Sequence, residues 1–96
     1  MKVSEVIVKD LMEYANEYST DPEVIKTFNT ILLACKSYIK HYTGLTIDQI
    51  DTKEDLTIAL MVLANELYDN RTFTVKDDKV NPVIKTILDM HCINLL

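Results

Sequence analysis

The longest helical pattern in the chain lies between Asp21 and Gly44. Asp21 is a favourable N-cap, Pro22 suits the first helical position, and Gly44 can adopt the left-handed conformation that ends a helix. The pattern predicts a helix over about residues 22–42, the spine of one all-α domain covering residues 1–96. Apolar residues recur there every three or four positions on one stripe: Ile25, Phe28, Ile31, Leu32, Cys35, Tyr38, Ile39 and Tyr42.

Three further helices are predicted, which gives a small bundle of about four. The first covers about residues 4–17, with an apolar stripe of Val3, Val6, Ile7, Leu11, Tyr14, Ala15 and Tyr18. The third covers about residues 53–70, with a stripe of Leu56, Ala59, Leu60, Leu63 and Leu67. The fourth covers about residues 82–93 after an Asn81 cap, and we expect it to bury Val83 or Ile84, then Ile87, Leu88, His91 and Leu95.

The segment "LTIDQIDTKED" joins the second and third predicted helices. Leu45, Ile47 and Ile50 are expected to pin it to the core, and Thr52 with Asp55 resembles a capping box. Its acidic residues lack the glycine and the alternating oxygen ligands of a calcium-binding loop. They therefore indicate a solvated, capped helix start.

The connection before the last helix is long for a helical bundle. Phe73 and Val75 alternate with threonines, which would place both apolar side chains on one face of an extended segment, and "KDDK" is a polar turn. The pattern favours a β-hairpin-like connection. We expect this segment to be mobile in the free chain and to become ordered where it packs against an adjacent subunit or another partner. A mobile loop, or Phe73 folded onto its own core, are the alternatives.

Composition and motifs argue against several classes of function. Fifteen acidic and ten basic residues give a net charge of −5, which disfavours a general nucleic-acid binder and an anionic membrane surface. The single glycine excludes a P-loop or a dinucleotide fingerprint, and no nucleophile or metal-ligand spacing is recognisable. We therefore predict a protein that is not an enzyme and that needs no metal or cofactor.

Cys35 and Cys92 lie far apart within apolar helical patterns, so we expect two buried free thiols. The first residues lack the apolar core and the cleavage site of a signal peptide, and no apolar run approaches about 18 residues. We therefore expect a soluble protein made in the cytoplasm.

The third predicted helix has more apolar surface than one stripe requires. Ile58, Met61 and Val62 widen its apolar side well beyond the stripe. Such a helix is either central to its own domain or covered by a partner. These three residues are therefore candidate interface residues.

Three segments together resemble the head-tail connector, or adaptor, proteins of long-tailed bacteriophages. They are "SYIKHYTGL" at 37–45, "ALMVLANELYDNR" at 59–71 and "NPVIKTILDM" at 81–90. Family members share a helix with a Tyr-Thr-Gly type end, a second helix with a Leu-Tyr-x-Asn-Arg type end, and a proline that opens the last helix. The resemblance spans nearly the whole chain and keeps the order and lengths of the helices.

This resemblance implies a structural virion protein that is made in the bacterial cytoplasm. About a dozen copies would form a ring beneath the capsid portal, extend the DNA channel and bind a tail-side completion protein, while an isolated subunit could stay monomeric. DNA would pass through without sequence-specific binding. The alternative function is a small acidic helical interaction module or inhibitor that is not part of a virion.

The candidate interface comprises the apolar residues of the third helix and the residues around its end: Ile58, Met61, Val62, Glu66, Tyr68, Arg71, Phe73 and Val75. Arg71 is the only arginine. Its guanidinium can bind free helix-end carbonyls and also hold a carboxylate in two parallel hydrogen bonds, which lysine cannot do. Glu66, Asp69 or an acid of a neighbouring copy could supply that carboxylate.

Replacing Arg71 by lysine keeps the charge and removes the forked geometry. A capping role predicts a lower melting temperature of the monomer, whereas an interface role predicts a normally stable monomer that does not assemble. Thermal unfolding and assembly measurements distinguish these roles, and a variant with neither defect would exclude both.

Overall fold

The computed structural model describes residues 1–70, 75 and 80–93. These residues form an all-α bundle, as the sequence predicts, and the described part of the chain contains no strand. A 3-10 helix at Val3–Glu5 precedes five α-helices: α1 (Val8–Tyr14), α2 (Pro22–Thr43), α3 (Ile47–Asp51), α4 (Glu54–Asp69) and α5 (Pro82–His91). None of the helices in these ranges combines the length and hydropathy that crossing a membrane requires.

Helix α2 confirms the predicted spine and both of its ends. The Asp21 carboxylate accepts a hydrogen bond from the Glu23 N–H at 3.0 Å, and Gly44 ends the helix with φ 71°. In contrast, the prediction that Ile25 is buried is wrong, since 42% of it is exposed. It lies in the first turn of α2, where it lines a surface groove.

The core forms where α2 packs against α4, with α1 and α5 each in contact with both helices. Its fully buried large side chains include Phe28, Ile31 and Ile39 from α2 and Leu56, Leu60 and Leu63 from α4. Leu11 of α1 and Ile84 and Leu88 of α5 close the core at its sides. The predicted spine, α2, therefore lies at the centre, and the structure places α4 beside it there.

The prediction of one continuous helix over residues 4–17 is wrong. Ile7 is extended (φ −120°, ψ 170°), and the Asp10 carboxylate accepts a hydrogen bond from its N–H at 2.9 Å, which starts a new helix at Val8. This break changes the helical register of the apolar residues. Val3, Val6 and Leu11 are buried, whereas Ile7, Tyr14 and Tyr18 are largely exposed.

Contacts with distant parts of the chain explain this break. The Ser4 N–H and hydroxyl donate to the Asp51 carboxylate at 3.0 and 2.6 Å, and the Lys36 ammonium donates to the Val6 carbonyl at 3.0 Å. The Thr57 hydroxyl donates to the Met1 carbonyl at 2.7 Å. The hydrogen bonds from Ser4 lower the pKa of the Asp51 carboxyl.

The predicted capping box of Thr52 and Asp55 does not form. Thr46 caps α3 instead, paired with Gln49, and the Thr52 hydroxyl donates to the Gln49 carbonyl at 2.7 Å. Asp55 turns towards α5. Leu45 and Ile50 are buried as expected, but Ile47 is exposed because it lies on the solvent side of this short helix.

The two cysteines have different environments. Cys35 is a buried free thiol, as predicted, and burial raises its pKa to about 12. Cys92 is exposed, so the prediction that it is buried is wrong. Helix α5 ends at His91, one residue before Cys92, and of the two alternatives at its start it buries Ile84 and leaves Val83 exposed.

Two residues of α2 test the position of its buried face. Ile31→Ala should lower the free energy of unfolding by about 2 to 4 kcal/mol, because Ile31 is fully buried. Leu33→Ala is the matched control and should change it by less than about 0.5 kcal/mol, because Leu33 is 62% exposed. Chemical denaturation measures both, and similar losses at the two positions would contradict this orientation of α2.

Candidate assembly interface

Helix α4 is held on one side by the antiparallel helix α5. Near one end of the pair, the Asp55 carboxylate lies 2.7 Å from the Nε2 atom of His91. Near the other end, the Asn81 side-chain amide donates to Glu66 at 2.8 Å. The face of α4 that carries Asp55 and Glu66 is therefore occupied by the protein's own last helix.

Tyr68 lies on the opposite side of α4. Its ring centroid is 4.3 Å from that of Phe28, and its hydroxyl donates to the Glu17 carboxylate at 2.9 Å. Tyr68 is half-buried by these contacts. Within the isolated chain, this side chain connects α4 to α2 and to the segment that follows α1.

One stripe of α4 faces away from these neighbours, and we call it the α4 outer stripe. Its residues follow the i, i+4, i+7, i+11, i+15 spacing of one helix face: Glu54, Ile58, Met61, Asn65 and Asp69. Ile58 is 60% exposed, and Met61 is half-buried. Asn65 is also half-buried, and Met61 packs partly against the core, so Ile58 is the exposed apolar residue of the stripe. The two ends, Glu54 and Asp69, are exposed acids, so the stripe is negative at both ends.

The structure separates the predicted interface residues into groups. Ile58 and Met61 belong to the α4 outer stripe, and Val62 lies beside it. Met61 and Val62 are both half-buried and pack against the core. Glu66 and Tyr68 contact other parts of the same chain, as described above. Val75 is half-buried against the core, while Arg71 and Phe73 lie outside the described residues.

Beside the first turn of α2 lies a groove with a volume of about 480 Å³. The apolar residues that line it include Val8, Met12, Tyr18 and Ile25. Glu17 also lines it, but its carboxylate is already hydrogen-bonded to Tyr68. Within the described residues there is no cluster of three or more His, Cys, Asp or Glu side chains that could hold a metal ion.

Sequence reasoning missed Leu33, the exposed leucine in the middle of α2. It lies opposite the buried stripe of that helix. The large apolar residues near it in the sequence, such as Ile31 and Leu32, are assigned to that stripe, and Leu33 is not. A projection of α2 along its axis would have shown Leu33 alone on the polar face. An isolated exposed leucine is common on protein surfaces, so the signal was weak.

Comparisons of this chain with models of protein families, with curated proteins and with solved structures found no match.

Tyr68 can be tested separately for its hydroxyl and its ring. Tyr68→Phe should lower the free energy of unfolding by about 0.5 to 1.5 kcal/mol, because it removes the hydrogen bond to Glu17 and keeps the contact with Phe28. Tyr14→Phe, at a largely exposed tyrosine of α1, is the control and should have almost no effect. Equal effects of the two substitutions in urea denaturation would contradict a structural role for the Tyr68 hydroxyl.

Proposed function

We propose that this chain is a structural subunit of a bacteriophage virion. It would form a ring-shaped adaptor between the capsid portal and the tail, and the ring would extend the DNA channel. The observation that carries the proposal is the resemblance of residues 37–45, 59–71 and 81–90 to the head-tail connector family. Its ring would contain about a dozen subunits and would contact the portal protein and a tail-side completion protein.

The described parts of these three segments meet in the fold. The end of α2 contacts the end of α5, where the Ile93 N–H donates to the Thr43 carbonyl at 2.8 Å and the Tyr42 hydroxyl donates to Asp89. The end of α4 contacts the start of α5 through Glu66 and Asn81. Segments that pack together in this way form one structural unit. This supports treating the three segments together as a single resemblance to the head-tail connector family.

The physical properties of the chain suit a ring subunit. A domain of 96 residues builds only a modest core, so contacts with further copies add stability. The α4 outer stripe would offer such a contact, with the exposed Ile58 between two acidic ends. A net charge of −5 would also disfavour adhesion of DNA to the channel wall.

The alternative, an acidic inhibitor that mimics DNA, is less well supported by the distribution of charge. Such a mimic needs acids concentrated on one face. The acidic side chains occur on all five α-helices, although α2 carries only Glu23, in its first turn. This distribution favours contacts of mixed charge over imitation of a nucleic acid.

Deleting the gene from the phage or prophage genome tests the proposal. We expect portal and tail genes beside it, and DNA-filled heads without tails in electron micrographs of the lysate. Expression of the wild-type chain from a plasmid is the control and should restore tailed particles. Infectious tailed particles that form without the chain would contradict the proposed function.

A further inference from the structure

The charges of this acidic chain are segregated between its two central helices. Helix α4 carries Glu54, Asp55, Glu66 and Asp69 and no basic residue. Helix α2, after Glu23, carries three lysines and one histidine and no acidic residue. The two helices that build the core therefore have opposite charge.

On α2, the positive charge forms a stripe that faces solvent, which we call the α2 outer stripe. It comprises Lys26, Leu33 and Lys40, seven residues apart and therefore on one helix face, and all three are exposed. The lysines are 14 residues apart, which corresponds to about 21 Å along the axis. Lys36 lies to one side, where its ammonium already binds the Val6 carbonyl.

The α4 outer stripe has the complementary arrangement. Glu54 and Asp69 are 15 residues apart, which corresponds to about 23 Å, and Ile58, Met61 and Asn65 lie between them. Each stripe thus has two like charges at nearly the same separation, with one exposed apolar side chain between them, Leu33 on α2 and Ile58 on α4. The sign of the charges is positive on α2 and negative on α4.

The two stripes of one molecule cannot bind each other. Helices α2 and α4 pack through their buried faces, so the opposite faces point away from the shared core. We propose that the α2 outer stripe of one copy binds the α4 outer stripe of a second copy of this chain. Such a contact uses different surfaces on the two partners, so it continues from copy to copy.

A second copy fits the α2 outer stripe better than a nucleic acid does. Two exposed lysines flank an exposed leucine, whereas binding to phosphates requires many basic contacts and gains nothing from the leucine. The net charge of −5 also repels a polyanion. The exposed Ile58 between two acidic ends satisfies both the leucine and the lysines.

The contact should be weak between two isolated copies and sensitive to salt. One helix face from each copy is smaller than a standard protein interface, and exposed ion pairs are screened by salt. Closure into a ring would strengthen the assembly, because the copy that closes the ring makes two contacts at once. Only this closure rests on the proposed function; the pairwise contact does not.

Charge reversal on either stripe tests the contact. The Lys26→Glu, Lys40→Glu variant has two acidic stripes, and the Glu54→Lys, Asp69→Lys variant has two basic ones. We expect wild-type protein to self-associate in low salt at protein concentrations of up to about 1 mM. The association constant of each variant alone should be at least about tenfold lower. An equimolar mixture of the variants should associate again, because each stripe then meets its opposite. Sedimentation equilibrium of the full chain measures all four samples.

The controls separate this contact from general charge effects. Lys9→Glu and Glu13→Lys change exposed charges of α1 and should leave association unchanged. Leu33→Asp should weaken association by removing the apolar centre of the α2 outer stripe. Circular dichroism checks that each variant is folded. Where a charge-reversed variant does not fold, the same positions are changed to glutamine instead, which removes the charge without reversing it.

Several results would overturn the proposal. They are a wild-type chain that stays monomeric throughout, a charge-reversed variant that associates normally, or a mixture of folded variants that fails to associate. Loss of binding to duplex DNA in the lysine variant, with self-association intact, would assign the α2 outer stripe to nucleic acid instead. The two proposals can fail separately. If the mixture of variants associates again but tailed particles form normally after gene deletion, the virion function is rejected and the contact between copies is retained.

Discussion

The packing of α2 against α4 is the interaction on which the rest of the structure depends. Phe28, Ile31 and Ile39 of α2 meet the leucines of α4 in the core, and burying each such side chain contributes about 1.5 to 3 kcal/mol. Helices α1 and α5 are shorter, and each contacts both members of this pair. Their positions therefore depend on the surface that α2 and α4 form together.

Polar contacts then fix the shorter elements in place. Asp55 with His91 and Glu66 with Asn81 align α5 along α4, while Ser4 with Asp51 holds the first residues near α3. Most of these pairs are partly exposed, so each contributes little to stability. Their main effect is geometric, because they select one arrangement among several that would bury similar apolar area.

The same packing decides which surfaces remain for other molecules. Since the apolar faces of α2 and α4 are turned towards each other, their polar faces point outwards in different directions, one positive and one negative. Burial thus determines the fold of the single chain, whereas the charges left at the surface determine which orientations of a second copy are favourable. The contact proposed above between two copies would use this division, because it would pair a positive face with a negative one in a chain whose net charge is −5.

The sequence by itself determined the parts that depend on local interactions. The Asp21 cap, Pro22 and Gly44 fix the ends of α2, and Asn81 and Pro82 start α5. Only the tertiary structure decided which of the predicted apolar and polar side chains are covered. Ile25, Ile47 and Cys92 fit apolar patterns yet are exposed, and Glu66 and Tyr68 are engaged by Asn81 and Glu17, far away in the sequence. Helix ends depend on residues within one turn, but burial and side-chain pairing depend on residues that only folding brings together.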